Sequence, residues 1–329
     1  NNGRVPFASA QIGKSFRNEI SPRAGLLRVR EFTMAEIEHF VDPEDKSHSR
    51  FCEVEHLVLP FLPADVQMTG ETAVKKVTLG EAVRSGLVNN ETLGYFVGRI
   101  YLFLEAIGIN TGRLRFRQHM PNEMAHYASD CWDAEIHTSY GWIECVGCAD
   151  RSAYDLTMHS RRTKRDLMVQ QPLKEPKVYQ KYVPAINKKV LGPNFKKNAK
   201  LVEDTINEMC QERLAELQKS LESGSATIEA AGETFTLTPE HVTVEYKTIK
   251  ESVRNFIPNV IEPSFGMGRI FYALLEHSFW AREEDKERGV LSLPPLVAPF
   301  KVLIVPISSN EQLSPIAVQL SKRLRSAGI

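Results

Sequence analysis

Two short segments far apart in the chain each set an arginine beside a carboxylate on glycine- or strand-like backbone: Phe16-Arg17-Asn18-Glu19, and Glu262-Pro263-Ser264-Phe265-Gly266-Met267-Gly268-Arg269. That pairing can grip a nucleotide phosphate and a small cation together. Arg17 and Glu19 are two apart, so on a strand both side chains project from one face. Arg17 can then bind an α-phosphate while Glu19 accepts from an adenine amino group. Leu26 to Phe32 follows as a returning strand, and Arg28 and Phe32, four apart, again share a face. Arg28 can reach a terminal phosphate and Phe32 can stack on a flat base. Glu36 completes the order F-R-x-E, loop, R-x-x-x-F-x-x-x-E.

In the second segment, Gly266 and Gly268 lead a strand end into an apolar helix through Ile270, Leu274, Leu275 and Phe279. The positive N-terminus of that helix suits an anion, glycine allows backbone to approach it closely, and Arg269 adds charge. Glu144 stands in an otherwise apolar strand, Tyr140 to Cys148. A carboxylate there is costly unless it is paired or bound to metal. It is either a magnesium ligand, since that ion takes one or two carboxylates plus substrate phosphates, or a partner of Arg151 or another arginine. Asp133 and Glu135 share a strand face near Asp130, His119, His126 and His137. No metal-ligand spacing links them, so they are expected to be structural or solvated.

Two patterns are decoys. Ala8 to Ser15 approaches the phosphate loop G-x-x-x-x-G-K-[ST], but Pro6 interrupts the run before it and no helix follows. Cys145-Val146-Gly147-Cys148 spells C-x-x-C without a second pair to close a zinc site, and both cysteines are expected to pack. The five cysteines of the chain form no disulfide framework.

These residues need a sheet to hold them. Phe7 to Glu19 and Leu26 to Phe32 predict two antiparallel strands joined by a basic loop. Acid-rich and Pro-containing segments come next, then a helix over Leu93 to Gly108. Leu114 to His119, Trp132 to Ile136 and Trp142 to Val146 predict further strands. Ser152 to Val253 differs in character: basic at Arg161 to Arg165 and Lys196-Lys197, with an amphipathic helix over Ala199 to Leu221 and a hairpin turning at Ala231-Gly232. It is expected to be an insertion at about 152–253 in a core of 1–295. Beyond Leu293-Pro294-Pro295, an apolar strand over Phe300 to Ile307 and a helix over Pro315 to Arg325 would open an α/β domain over 296–329.

The 329 residues carry 41 Lys+Arg and 41 Asp+Glu, so a global field for nucleic acid is absent and any RNA contact must rest on local basic clusters. Arg161 to Arg165 and Lys188 to Lys200 are the clusters expected to meet RNA phosphates. No apolar run approaches the roughly 18 residues of a membrane span. The first residue is Asn1, not Met, and the last follow a helix-like stretch, so a chain cut at both ends is expected.

The ordered segments resemble motifs 2 and 3 of the class II aminoacyl-tRNA synthetases, and among these the eukaryotic-type, glycine-specific branch. Gln11 to Arg23 and Leu26 to Glu36 resemble motif 2, Asn122 to Ala128 and Tyr140 to Ser152 the intervening sheet, and Val260 to Arg269 motif 3. The resemblance implies an α+β fold: an antiparallel sheet flanked by helices, an inserted α/β subdomain, and the start of a C-terminal anticodon-binding domain. It implies ATP binding by Arg17, Asn18, Glu19, Arg28, Val29, Glu144, Cys145 and Arg269, to which the stacking argument adds Phe32. It gives Glu36, Glu262, Pro263 and Ser264 to glycine, and Arg17 and Arg269 to catalysis. Expected ligands are ATP, Mg2+, glycine and tRNA(Gly), and the expected state is a cytoplasmic homodimer, a mitochondrial form being compatible. Motif 1 would lie before Asn1. The alternative is a non-catalytic accessory module on the same fold, but such relatives lose the ATP-gripping residues that are present here.

Overall fold

The computed structural model describes residues 3–23, 25–124, 128–308 and 311–329; His126 and the middle of the Asn122 to Ala128 segment lie outside them. The chain divides into two compact units, one of residues 1–169 and 256–329, the other of 170–255.

The first unit is built on an eight-stranded sheet. Along the chain come β1 (Phe7–Phe16), β2 (Glu31–Val41), β3 (Val58–Leu62), α1 (Ala64–Met68), β4 (Lys75–Thr78), α2 (Leu79–Arg84), α3 (Glu91–Ala106), β5 (Leu114–Gln118), β6 (Asp130–Thr138), β7 (Gly141–Asp150) and α4 (Tyr154–Thr163). In the second unit follow β8 (Val169–Ile186), α5 (Lys188–Phe195), α6 (Ala199–Asn207), α7 (Gln211–Glu222), β9 (Ala226–Ala230), β10 (Glu233–Leu237) and β11 (Val242–Phe256). The chain then returns through β12 (Asn259–Gly266), α8 (Met267–Ser278), β13 (Phe279–Arg282), β14 (Asp285–Leu291) and α9 (Leu313–Ser326). The order across the large sheet is β1-β2-β12-β7-β6-β5-β3-β4. Of these pairings, only β3 with β5 is parallel.

One face of the sheet packs on α3, whose Leu93, Val97, Ile100 and Leu104 are fully or almost fully buried. On another side α3 lies close to α2 and the turn at 51–54, because it carries glycine where it meets them. A methyl on Gly98 would come within 2.7 Å of Val54 and 2.9 Å of Leu79, and one on Gly94 within 2.8 Å of Val83. Asn90 caps α3 by accepting the Leu93 N–H at 2.9 Å, and its amide donates to Asp150 at 2.9 Å. Asp150 is fully buried and also receives the Lys46 ammonium at 2.6 Å. The helix start and the end of β7 are thus tied by one carboxylate.

Several expectations need correction. β1 ends at Phe16, so Arg17 and Glu19 lie in the loop beyond it. The return strand begins at Glu31, not Leu26. A short 3-10 turn at Gly25–Leu27, with Gly25 at a left-handed φ of 56°, and a bridge between Arg23 and Arg28 curl the intervening chain. Arg28 therefore shares no strand face with Phe32. The helix expected over Ala199 to Leu221 is two, α6 and α7, because Cys210 adopts an extended backbone (ψ 164°) and ends the ladder. Phe300 to Ile307 forms no strand: no described strand pairs with it, and Phe300, Leu303 and Ile307 are strongly exposed. The hairpin at Ala231-Gly232 is present, both residues taking the positive φ that a tight two-residue turn requires.

The second unit has its own core, formed by Leu191, Val202, Ile206, Leu214, Leu217 and Leu221 from its helices and Ile228, Phe235, Leu237 and Val242 from its strands.

Gly98→Ala gains about 1 kcal/mol of helix propensity but must displace Val54 and Leu79, an overpacking cost of about 1–3 kcal/mol. The expected net result is a loss of up to about 2 kcal/mol by urea denaturation. An unchanged or higher midpoint would show that the packing around α3 yields freely.

Candidate functional site

The sheet face opposite α3 carries the chemistry, and strand register decides which side chains meet there. Glu36 on β2 is opposite Ser264 on β12, Ser264 is opposite Gly147 on β7, and Gly147 is opposite Asp133 on β6. Directly opposed residues of an antiparallel pair share a face, so these four form one row. A second row runs from Glu262 to Ala149 to Cys131, and the His119 N–H donates to the Cys131 carbonyl at 3.0 Å.

Between Ala134 and Glu135 the β6–β7 ladder slips: Ala134 pairs with Val146, but Glu135 pairs with Glu144. Cys145 is the extra residue of a β-bulge. By plain alternation Glu144 and Gly147 would point to opposite faces; the bulge turns Glu144 to the face of Gly147, as bulges do where a strand must re-aim a side chain.

Over this face lies a cavity of about 240 Å³. Arg17, Glu19, Arg28, Val29 and Phe32 line it from the β1–β2 side, Glu144, Cys145 and Arg269 from β7 and α8, and Glu262 and Ser264 from β12. Asn18, Glu36 and Pro263 are not among the lining residues, although Glu36 stands in register beside Ser264. Arg151, His119, Cys131, Asp133 and Gly147 also line the cavity. Sequence spacing offers Arg151 only as a partner of Glu144, and points to a structural or solvated role for His119 and Asp133. The β6–β7 register is the missing signal, since it sets Asp133 opposite Gly147.

Arg269 holds the site together. Its Nε donates to the Leu27 carbonyl at 3.1 Å and its Nη1 to the Glu144 carbonyl at 2.7 Å, with the Glu144 carboxylate 3.8 Å away. The loop between β1 and β2 is thereby fixed to β7 and the start of α8. Within the loop, the Arg17 N–H donates to the Arg30 carbonyl and Arg30 Nε to the Glu19 carbonyl, each at 2.9 Å. The Arg17 guanidinium lies 5.6 Å from the centre of the Phe32 ring, and Arg28 stands 3.5 Å from Glu19. The Arg28 side chain is half exposed, so that pair contributes little and is easily exchanged for a stronger anion.

The acids lining the cavity are incompletely compensated. Burial pushes the Glu262 carboxyl up to about 7; the Arg151 guanidinium at 3.3 Å opposes this, and Glu36, Glu38 and Asp155 add repulsion. Arg151 is shared with Asp155 at 2.7 Å. Glu144 is also raised, by desolvation first and the nearby Asp133 second, with Arg269 opposing. Its side chain is 52% exposed to the cavity and not sealed among apolar neighbours as expected, because the bulge turns it outward. Its arginine partner is Arg269, not Arg151. His119 is raised by its 2.8 Å hydrogen bond to Asp133, and its ring, the Cys131 sulfur and the Asp133 carboxylate lie within 4.8 Å of one another. Glu135 is held by Arg115 at 2.7 Å and Arg117 at 3.2 Å, a structural role.

Neither decoy carries chemistry. Lys14 lies within β1 opposite Thr33 and pairs with Glu31 at 2.8 Å on the surface. Cys145 and Cys148 are buried thiols, with Cys145 pushed up to about 12 by burial.

An arginine-bearing loop, an antiparallel sheet and a glycine-led helix around one cavity define a class of enzyme core. Residues 1–278 match the tRNA synthetase class II core domain of the G, H, P, S and T enzymes, and the chain belongs to that family. It is 55% identical to a putative glycine--tRNA ligase of Schizosaccharomyces pombe, over 100% of this chain and 51% of that one. It is 57% identical to glycine--tRNA ligase 1, mitochondrial, of Saccharomyces cerevisiae, over 100% of this chain and 48% of that one. The glycine--tRNA ligase of Methanocaldococcus jannaschii is 45% identical over 99% of this chain and 57% of that one. The chain thus spans about half the length of the curated relatives it matches.

Replacing Arg151 with Met removes the cation that opposes the rise of Glu262. The Glu262 carboxyl should then titrate above about 7, read by carbon NMR of labelled glutamate. A value that stays put would mean that Arg151 does not set the charge of this carboxylate.

Proposed function

We propose that the cavity binds ATP at the Arg17, Arg28, Arg269 end and glycine at the Glu262, Ser264 end, and that the protein is a glycine–tRNA ligase. The observation that carries the reading is that one cavity is lined both by the arginines of the two motifs and by the under-compensated carboxylate Glu262. The identity to glycine--tRNA ligases over essentially the whole chain supports it.

Arg17 and Arg28 would take the phosphates and Glu19 the adenine amino group. Phe32 would offer its ring to the base, with Asn18, Val29 and Cys145 contributing main chain or packing. Glu262, with Glu36 beside it in the sheet, would pair with the α-ammonium, and Ser264 and Pro263 would shape that end. The glycine carboxylate would attack the α-phosphorus in line, forming a carboxyl O–P bond as the bond to pyrophosphate breaks. Arg17 and Arg269 would offset charge on the α-phosphoryl oxygens, the chief need of such a transfer. A hydroxyl of the terminal tRNA ribose would then attack the carbonyl, releasing AMP. The donor set near Glu144 fits Mg2+: this half-exposed carboxylate faces the cavity near Asp133, and a divalent cation would relieve the repulsion between them. Bound there with substrate phosphates, the ion would supply further charge neutralisation.

The division into a core of 1–295 with an insertion, and an anticodon-binding domain beginning at 296, belongs to the same reading. So do the homodimer and the cytoplasmic location, with a mitochondrial form alongside.

Glycine-dependent ATP–pyrophosphate exchange is the first test, on this chain beside a version extended upstream. Exchange should fall as pH drops through about 7, because Glu262 must be ionised to pair with ammonium and its protonated form dominates below that value. Glu262→Gln should flatten this limb and raise the glycine KM. Absence of exchange from both versions would overturn the assignment. For tRNA, neutralising Arg161, Arg162, Lys164 and Arg165, or separately Lys196, Lys197 and Lys200, should lower affinity. The salt slope should also fall, by about 0.7–0.9 for each phosphate no longer neutralised. Unchanged tRNA binding by both variants would remove these clusters from the reading.

A further inference from the structure

Gly147 occupies a singular place on the cavity face. Along β7 it stands between Glu144 and Cys145, beside the Arg269 clamp, and Ala149, opposite Glu262. Across the sheet it stands between Ser264 and Asp133. Directly opposed Cβ atoms lie about 5 Å apart, so a missing side chain here leaves a gap between two polar neighbours on the same face.

The fold itself does not require glycine at this position. Its φ is not among the positive values of the chain, so an L residue meets no backbone strain. A Cβ built on it meets only Asp133 Oδ1, at 3.7 Å, which is ordinary contact. Of the other cavity glycines, Gly266 differs, since a Cβ there would press on the Cys145 carbonyl at 3.3 Å, whereas one on Gly268 would make ordinary contacts with Leu26 at 3.7–4.0 Å. Gly94 and Gly98 are required by the packing of α3. At Gly147 the empty volume belongs to the cavity.

Resting on the glycine-activation reading, we propose that Gly147 makes room for the reacting atoms: the space above its Cα receives the Cα and carboxylate of the amino acid as they meet the α-phosphate. A ligand with its ammonium at Glu262 and its carboxylate directed toward Arg17 and Arg269 must cross the middle of β7, where Gly147 is the lining residue between the two ends. With strand residues rising about 3.4 Å each, the span from Glu144 to Ala149 is about 17 Å at most, shortened by the bulge. One methyl at its centre would intrude on the reacting atoms while leaving the nucleotide end and the ammonium end in place.

The test is Gly147→Ala, with Gly13→Ala as the control: Gly13 lies in β1 with nothing within 4 Å of an added Cβ, outside the cavity lining. Thermal unfolding, ATP affinity and the kcat and KM of glycine-dependent exchange are measured for both and for the unsubstituted chain, extended upstream if exchange needs it. The expected result is that Gly147→Ala lowers kcat/KM for glycine on the order of tenfold to two-hundredfold, the range one methyl commands in a tight pocket. ATP affinity should change less than about twofold and unfolding should match Gly13→Ala. Unchanged glycine kinetics in Gly147→Ala overturns the proposal, as does an equal loss of ATP binding, which would make the effect structural. Glycine-independent behaviour of the unsubstituted protein overturns the glycine reading, and this proposal with it.

Discussion

Carboxylates withdrawn from water on the strands of this sheet must each find a cation, and this constraint shapes the molecule. An ionised acid withdrawn from water is costly unless paired and hydrogen-bonded. Asp150, at the end of β7, meets the Lys46 ammonium, the Asn90 amide and the Ser152 N–H. Glu135 has two arginines, and Asp133 has His119 with Arg117 at 3.6 Å. The acids facing the cavity are served less fully: Glu262 shares Arg151 with Asp155, and Glu144 has Arg269 only at 3.8 Å. Both are raised above the ordinary carboxylate range. Incomplete compensation turns an acid into a receptor for a cation brought by a ligand, while the fully paired acids hold the strands.

Those roles depend on register. A one-residue slip in a sheet moves every side chain to the other face. Here a single extra residue, Cys145, shifts only the first half of β7, bringing Glu144 round to the face of Gly147 and Asp133. The glycine-led turn into α8 places Arg269 where it can reach both the bulged carbonyl region and the β1–β2 loop.

Much of this is legible in the sequence because arginine, glycine and carboxylate in fixed order are unusual on ordinary strands. Arg17, Glu19, Arg28, Phe32, Glu144, Glu262, Ser264 and Arg269 stand out by type and spacing, and all line one cavity. Alternation locates β5, β6 and β7 well. It fails between Leu26 and Arg30, where apolar and basic residues alternate like a strand but Gly25 and the Arg23–Arg28 bridge curl the chain. It also fails at Glu144, since a bulge leaves no mark in composition. Arg151 and Asp133 are noticed but not placed at the cavity for a related reason: that depends on how neighbouring strands pair, which spacing does not fix.

The arginines of the site differ in what they can do without rearrangement. A guanidinium has five N–H donors. Arg269 commits Nε and Nη1 to two carbonyls, leaving three donors for a phosphate while the clamp stays closed. A lysine could not serve both ends at once. Arg28, held only by an exposed contact to Glu19 at 3.5 Å, can swing to a ligand at little cost. Arg17 sits against Phe32, so a base stacking on that face must displace it or use the other side of the ring. Arg269 fixed by two carbonyls, beside arginines that are free to move, gives the cavity one immobile cationic group and more adaptable ones for an anion. The Leu27 and Glu144 carbonyls that immobilise Arg269 therefore belong to the construction of the cavity as much as the guanidinium itself.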